Sequence, residues 1–440
     1  MTGKNNDRKE PEVGVEICNC SFCGKANFEV KQMIAGPTSC ICDECIALST
    51  EIIAEEKKQE LLTAAQDGAH NPREIKKLLD RDVIGQDSLK KKIAIAVCDH
   101  FARVANNSGA HDIDIDKSNM LVMGPTGSGK TELARSLAKI LDVPFVTVDI
   151  TKMTSAGYVG DDVQSICTKL FQEAGGNLER AQHGIVMIDE IDKIRRQSDG
   201  GANKDVGGEG VQQALLKMVE GDTIDVQTKP GKAGQAETVS FNTGEVLFIG
   251  SGAFVGLENI VRERLDKDKK GGIGFGAQVR GKDEDKRTRG DLLAQVTTED
   301  LERFGMIPEL LGRLPVVGHT NDLDTTTLVR ILTEPRNALV KQQTRLFEMK
   351  GADLVFEPEA LQAIAEKASK MGRGARGLKT VMATVMADAA FELPSDKINH
   401  VTITAAVVND NAEPIYAFKK RDAAVRKEYP HLRMATPSVG

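Results

Sequence analysis

Tryptophan is absent from the 440 residues, and aromatic residues make up only 4% of the chain. The interior must therefore be filled by Leu, Ile, Val and Ala. A chain so poor in rings offers few platforms for stacking nucleic-acid bases. The formal net charge of −7 points the same way, because a dedicated nucleic-acid binder is usually basic. Histidine is scarce, at seven residues, and no Ser-His-Asp constellation can be read, so peptide-bond cleavage is not expected on this chain. No stretch approaches the length of an apolar membrane span, and the segment from Gly3 to Pro11 is hydrophilic. Neither a membrane segment nor a secretory signal is expected, which implies a cytoplasmic protein.

Cysteine is not scarce but is unevenly spread. Six of the eight lie between Cys18 and Cys45, while Cys98 and Cys167 sit singly in apolar-periodic segments and read as core residues. In a cytoplasmic enzyme, clustered cysteine reads as metal ligation before disulfides. Cys20-Ser21-Phe22-Cys23 and Cys42-Asp43-Glu44-Cys45 form two Cys-x-x-Cys knuckles with eighteen residues between them, a spacing that suits a tetrahedral four-thiolate Zn²⁺ site. Cys18 and Cys40 could each replace a neighbour. The equal spacings and the Cys23-Gly24-Lys25 turn favour Cys20, Cys23, Cys42 and Cys45. A unit with so few apolar residues should need the metal to fold.

The stretch Gly124-Pro125-Thr126-Gly127-Ser128-Gly129-Lys130-Thr131 fits the phosphate-loop pattern of a Gly, four residues and Gly-Lys-Ser/Thr. The apolar Met120–Met123 precedes it as a predicted strand, and Glu132 to Ala138 follows with helical spacing. Glycines let backbone N–H groups converge on phosphate oxygens, and a helix N-terminus adds favourable partial charge. Lys130 would neutralise β- and γ-phosphate charge, and the Thr131 hydroxyl would complete a Mg²⁺ shell. Further on, Gly184-Ile185-Val186-Met187-Ile188-Asp189-Glu190 reads as a buried parallel strand delivering two acids to its C-terminal edge. There Asp189 would hold Mg²⁺ through water, and Glu190 would polarise the attacking water. Glu245 to Ile249 predicts another strand running into Gly250-Ser251-Gly252. Ser251 reads either as a contact to the γ-phosphate or its water, or as tight packing at a strand end.

The expected class is α/β: a P-loop domain with a parallel sheet and flanking helices, a small α+β lid, and an N-terminal four-cysteine module. The boundaries expected are a disordered 1–15, the zinc module at 16–60, a linker at 61–71, the large ATPase domain at 72–321, the small domain at 322–410 and a loose tail at 411–440. Within the small domain the pattern predicts helix Thr325–Gln343, strand Asp353–Phe356, helices Pro358–Lys370 and Arg376–Phe391, and a closing strand His400–Val407. Lys267 to Arg289 reads as a polar loop carrying the apolar Ile273-Gly274-Phe275, which exposes apolar surface at a cost unless a partner buries it.

Taken together, these motifs resemble the ClpX family of bacterial AAA+ protein unfoldases, from about Cys20 to the mid-380s. The carriers are the cysteine module, Gly124–Thr131, Gly157-Tyr158-Val159-Gly160, Asp189-Glu190, Asp205–Gln213, Ile273–Phe275, Gly312-Arg313-Leu314-Pro315 and Gly374-Ala375-Arg376-Gly377. The resemblance implies a homohexamer with ATP sites between subunits and with ATP, Mg²⁺ and Zn²⁺ as cofactors. Val83 and Ile84 would line the adenine, with Glu132 beside the loop. Arg313 would reach the next subunit's γ-phosphate, and Arg376 would close the small domain on the nucleotide. Tyr158 and Val159 would line an axial pore, with Val206–Gly210 as a second pore loop. Ile273, Gly274 and Phe275 would dock a ClpP-type peptidase, and the zinc module would dimerise and receive substrates or adaptors. The chain departs from the pattern at Gly231, Lys232 and Ala233, where many relatives carry an Arg-Lys-His cluster. Rival readings are a solitary remodelling chaperone and a nucleic-acid motor or loader.

Overall fold

The computed structural model describes residues 19–36, 39–49, 71–107, 113, 115–154, 161–162, 165–196, 208–227, 238–270, 287–393, 398–418 and 433–434. Tyr158, Val159, Gly231, Lys232, Ala233, Ile273, Gly274 and Phe275 lie outside them. The chain divides into two units, Met1–Asp67 and Gly68–Gly440.

In the first unit, β1 (Met33–Ala35) pairs antiparallel with β2 (Cys40–Cys42), and residues 43–49 are helical. Among its described residues only Cys20, Ala26 and Cys42 are buried. Phe22, Phe28, Ile34 and Leu48 are exposed. Three buried residues cannot make an apolar core, so the cysteine cluster takes its place.

The second unit opens with α1 (Pro72–Asp82). The Asn71 side chain caps it, Pro72 sits where no amide donor is needed, and Ile75 and Leu79 face inward. Then follow α2 (Asp87–Asn107), β3 (Met120–Met123), α3 (Lys130–Ile140), β4 (Phe145–Asp149), β5 (Ile185–Asp189), α4 (Gly208–Glu220), β6 (Leu247–Gly252) and β7 (Val316–His319). The five strands form one parallel sheet in the order β7-β3-β6-β5-β4. Alternation along the strands separates two cores. Met120, Val122, Ile185, Met187, Leu247 and Ile249 face α1, α2 and α3, whereas Leu121, Met123, Val186, Ile188 and Phe248 face the other layer. A parallel sheet covered on both faces accounts for the continuous apolar strands. Gly208 to Gly210, expected in a second pore loop, instead form the first turn of α4.

The small domain contains α5 (Thr325–Thr333), α6 (Leu339–Met349), β8 (Asp353–Phe356), α7 (Pro358–Lys370), α8 (Ala375–Glu392), β9 (Ile398–Ile403), β10 (Ile415–Phe418) and β11 (Arg433–Met434). Three expectations are corrected here. The single helix Thr325–Gln343 is two helices, because Pro335 has no amide donor with which to continue the ladder, although Glu334 before it stays right-handed. The closing strand ends at Ile403, and helix Ala405–Asp410 follows it. The chain beyond 411 is not merely tail: β10 joins the sheet antiparallel to β9, and Tyr416 is buried. Alanine fills much of this core, through Ala360, Ala363, Ala365, Ala368 and Ala389.

One buried polar cluster sits under α2. His100 is 1% exposed, with Nε2 3.0 Å from the Glu245 carbonyl. Arg103 donates to the Gly244 carbonyl, and Lys117 donates to the carbonyls of Val219 and Thr243 while lying over the Phe248 ring. Burial first, then the charges of Arg103 and Lys117, hold the His100 imidazole down to about 3. In the unfolded chain His100 would titrate near the ordinary value of about 6.5. Below that pH the unfolded chain takes up a proton that the folded chain refuses, so stability falls as pH drops from about 6.5 toward 3. His100→Gln retains a donor for the Glu245 carbonyl and removes the titration. Chemical denaturation at pH 7 and pH 5 should show the native chain losing about 2 kcal/mol more than the variant; equal losses would contradict this account.

Candidate nucleotide site and metal centre

The phosphate loop lies at the C-terminal edge of the sheet, between β3 and α3, and each of its glycines meets a specific constraint. Gly124 has φ +143°, and a Cβ there would sit 2.0 Å from Thr320 Oγ1. Gly127 has φ +80°, and a Cβ there would sit 2.1 Å from the Arg373 carbonyl oxygen. Gly129 precedes α3 in the left-handed region with no side chain capping the helix, so the first amides of α3 remain for an anion. Ser128 is committed elsewhere: its hydroxyl lies 2.6 Å from Thr320 Oγ1 and donates to the Pro125 carbonyl.

Lys130 Nζ donates to the carbonyls of Gly124 and Pro125, at 2.7 and 2.9 Å. Burial lowers its pKa to about 8; Asp189 opposes that shift, and Arg376 and Arg289 add to it. Thr131 is the second residue of α3. The exposed Glu132 carboxylate sits 3.3 Å from Arg135. Val83 and Ile84 are both buried after α1, with Val83 Cγ1 4.0 Å from where a Gly129 Cβ would be. The buried Lys90 fixes that turn by bonding the Val83 carbonyl and Asp80.

Asp189 ends β5. Its Oδ1 accepts from Ser251 Oγ at 2.6 Å and from the Glu190 amide at 3.0 Å. Glu190 is exposed and left-handed (φ 60°, ψ 29°), a conformation that costs a non-glycine residue on the order of 1–3 kcal/mol.

Two side chains that the sequence reading passed over belong here as well. Asp192 is buried and accepts from the Ala253 amide at 3.1 Å; a Cβ on Gly252 would sit 2.4 Å from its Oδ1. The signal available was a third acid just after Asp189-Glu190. Gln86 bonds the Ser128 carbonyl and both backbone groups of Asn321, bracing the loop against the strand β7 exit. A lone Gln in a turn carries no motif.

The small domain touches the loop through backbone. The Ala375 amide donates to the Gly127 carbonyl at 2.9 Å, and Gly374 (φ +54°) leaves no room for a Cβ, which would be 2.7 Å from that same oxygen. Arg376, next in the chain, is near enough for its charge to act on Lys130. Arg313 is not gathered with these groups. It precedes β7, at the N-terminal edge of the sheet, and its Nε donates to Glu220 at 3.0 Å.

In the first unit, the four Sγ atoms of Cys20, Cys23, Cys42 and Cys45 lie within 4.8 Å of one another. The Cys42 amide points at Cys20 Sγ and the Cys45 amide at Cys42 Sγ, both at 3.4 Å, donors that stabilise thiolates. The Cys23 backbone, with help from that of Cys42, holds the Cys20 thiol down to about 6. Gly24 (φ +79°) makes the expected knuckle turn. Cys40 is disulfide-bonded, which removes it from the ligand set and departs from the expectation of metal ligation without disulfides. Cys18 lies outside the described residues. The clustered thiols fit a tetrahedral Zn²⁺.

A phosphate loop, an acid-tipped neighbouring strand and a lid on the loop, on a five-stranded parallel sheet, fit an AAA domain, which implies an ATPase. Residues 115–317 match the family model of the AAA domain (Cdc48 subfamily), residues 323–404 that of the C-terminal, D2-small domain of ClpB protein, and residues 15–55 that of the ClpX C4-type zinc finger. Together the three matches fit a ClpX-type AAA+ ATPase with an N-terminal zinc module. Among the described residues no helix is long and apolar enough to cross a membrane.

The ligand set can be checked residue by residue. Single Ser replacements at Cys20, Cys23, Cys42 or Cys45 should each lose the one Zn²⁺ per chain, and those at Cys18 or Cys40 should keep it. Metal analysis of the six purified variants decides; zinc lost from the Cys40→Ser protein but kept by Cys45→Ser would overturn the assignment.

Proposed function

We propose that the chain is an ATP-dependent protein unfoldase and translocase that works as a homohexamer and delivers substrates to a ClpP-type peptidase. The observation that carries this reading is the division of cations: Lys130 and Arg376 at the C-terminal edge of the sheet, Arg313 at the opposite edge. An arginine so placed supports a role in the site of a neighbouring subunit.

The loop amides, the α3 N-terminus and Lys130 bind the polyphosphate. Thr131, and Asp189 through water, would hold Mg²⁺, which would neutralise phosphate charge, and the Ser251 hydroxyl fixes the Asp189 carboxylate by donating to its Oδ1. Hydrolysis of ATP supplies the free energy. Glu190 orients and deprotonates the attacking water, and Arg313 from the next subunit stabilises charge on the transferring phosphoryl group. Because Ala375 hangs on the Gly127 carbonyl, any change in the loop on nucleotide binding or release is felt by α8. Nucleotide state thereby biases the arrangement of large and small domains. Tyr158 and Val159, on the pore loop, grip the substrate and move with that change. Ile273, Gly274 and Phe275 tether the peptidase, and the zinc module dimerises and recruits substrates or adaptors. The acidic net charge speaks against a nucleic-acid motor.

Glu190→Gln should keep ATP binding and lose hydrolysis by roughly 100-fold or more. Arg313→Ala should also bind and fail to hydrolyse, yet mixing the two variants should restore part of the turnover at interfaces pairing intact Glu190 with intact Arg313. Full turnover by Glu190→Gln, or by a diluted monomer, would defeat the scheme.

Docking has its own measurement. Phe275→Ala should abolish degradation by a matched ClpP-type peptidase while sparing ATPase and unfolding, since six weak tethered anchors bind by avidity. Unchanged degradation would favour the solitary chaperone.

A further inference from the structure

Arg289 opens the short helix Arg289–Leu293, and nothing above gives it a task. Its Nη2 donates to the Ala253 carbonyl at 2.7 Å. Ala253 is the first residue beyond β6, and its own amide is held by Asp192. One residue earlier, the Gly252 carbonyl accepts from the Gly124 amide at 3.2 Å; one earlier still, Ser251 bonds Asp189. The guanidinium is thus tied to the turn where β6, the acidic tip of β5 and the first residue of the phosphate loop meet.

It is also incompletely used. A guanidinium carries five N–H donors. Arg289 Nε is buried, lies 3.5 Å from Glu258 Oε2 and makes no hydrogen bond. Its side chain keeps 24% exposure, so it remains open to a ligand. Its charge reaches Lys130, as that of Arg376 does. Three cations, Lys130, Arg376 and Arg289, thus converge where Asp189 and Asp192 also lie.

We propose that Arg289 binds the terminal phosphate of a nucleoside triphosphate in the same subunit, so that the site tells triphosphate from diphosphate. The placement decides which phosphate. The loop amides and α3 serve the phosphates nearer the ribose, whereas the tip of β6 stands beside Asp189 and Glu190, where the scissile phosphate and its water must lie. This rests on the nucleotide-site reading. A plain structural tether between the short helix and β6 would affect stability but would not distinguish the two nucleotides.

Calorimetric titration of the full chain with a non-hydrolysable ATP analogue and with ADP separates these roles. Arg289→Gln should weaken the triphosphate about tenfold or more and leave ADP unchanged, the loss expected for one charge-assisted hydrogen bond. Arg289→Lys should recover part of the loss. Glu258→Gln, which releases the guanidinium without removing it, should tighten the triphosphate relative to ADP and covers the case in which the Arg289 variants fold poorly. Equal weakening of both nucleotides, or no change in either, overturns the proposal. Lys130→Ala serves as the control for the site itself: native binding that is lost for both nucleotides in Lys130→Ala upholds the site even when Arg289 makes no difference, while a native chain that binds neither overturns both readings.

Discussion

The structure turns on one place where no side chain fits. Around the Gly127 carbonyl, the phosphate loop and the entry to α8 approach through backbone alone, with Gly127 facing the Arg373 carbonyl and Gly374 facing Gly127. Any Cβ at either position would force the two domains apart. A contact made of one amide and one carbonyl has a defined direction and little slack. A loop built from positive-φ glycines can shift at low conformational cost. That combination couples any displacement of the loop to the lid through the Ala375 amide.

The second constraint is the sheet itself. Its strands all run one way, so the loop, Asp189, Ser251 and Asp192 collect at the C-terminal edge, while Arg313 is left behind at the start of β7. The strand Val316–His319 lies between Arg313 and Thr320, which packs on Gly124, and alone covers roughly 13 Å. The geometry that gathers the loop and the acids at one edge therefore keeps Arg313 of the same chain away from them. Within the chain Arg313 rests on Glu220, both half-exposed, an ion pair worth little.

What could be read from the sequence follows from how local each piece of chemistry is. Gly124 to Thr131 and Asp189-Glu190 declare themselves because their residues are contiguous and flanked by strand and helix patterns. The cysteine register was legible from spacing, and its four thiols do converge. Arg289, Gln86 and the Ser251–Asp189 pair were not, since each acquires meaning only from partners 36 to 235 positions away. In the small domain the helical periodicity from Thr325 onward hid Pro335, whose backbone chemistry outweighs pattern. The strand Ile415–Phe418 was missed because four residues in a charged surrounding give too short an alternation to register, although Tyr416 closes the core.

The zinc module follows a different logic from the rest of the chain. The large and small domains bury extended apolar clusters with scarcely an aromatic to spare. The module buries two cysteines and an alanine among its described residues while leaving Phe22 and Phe28 about three-quarters exposed, at 74% and 76%. An apolar core there would have to draw those rings inward. A structural Zn²⁺ contributes on the order of 10–16 kcal/mol to folding, which is more than so small a core could supply. Metal ligation thus releases the aromatic side chains from structural duty and leaves them on the surface, where apolar area is costly unless another protein covers it.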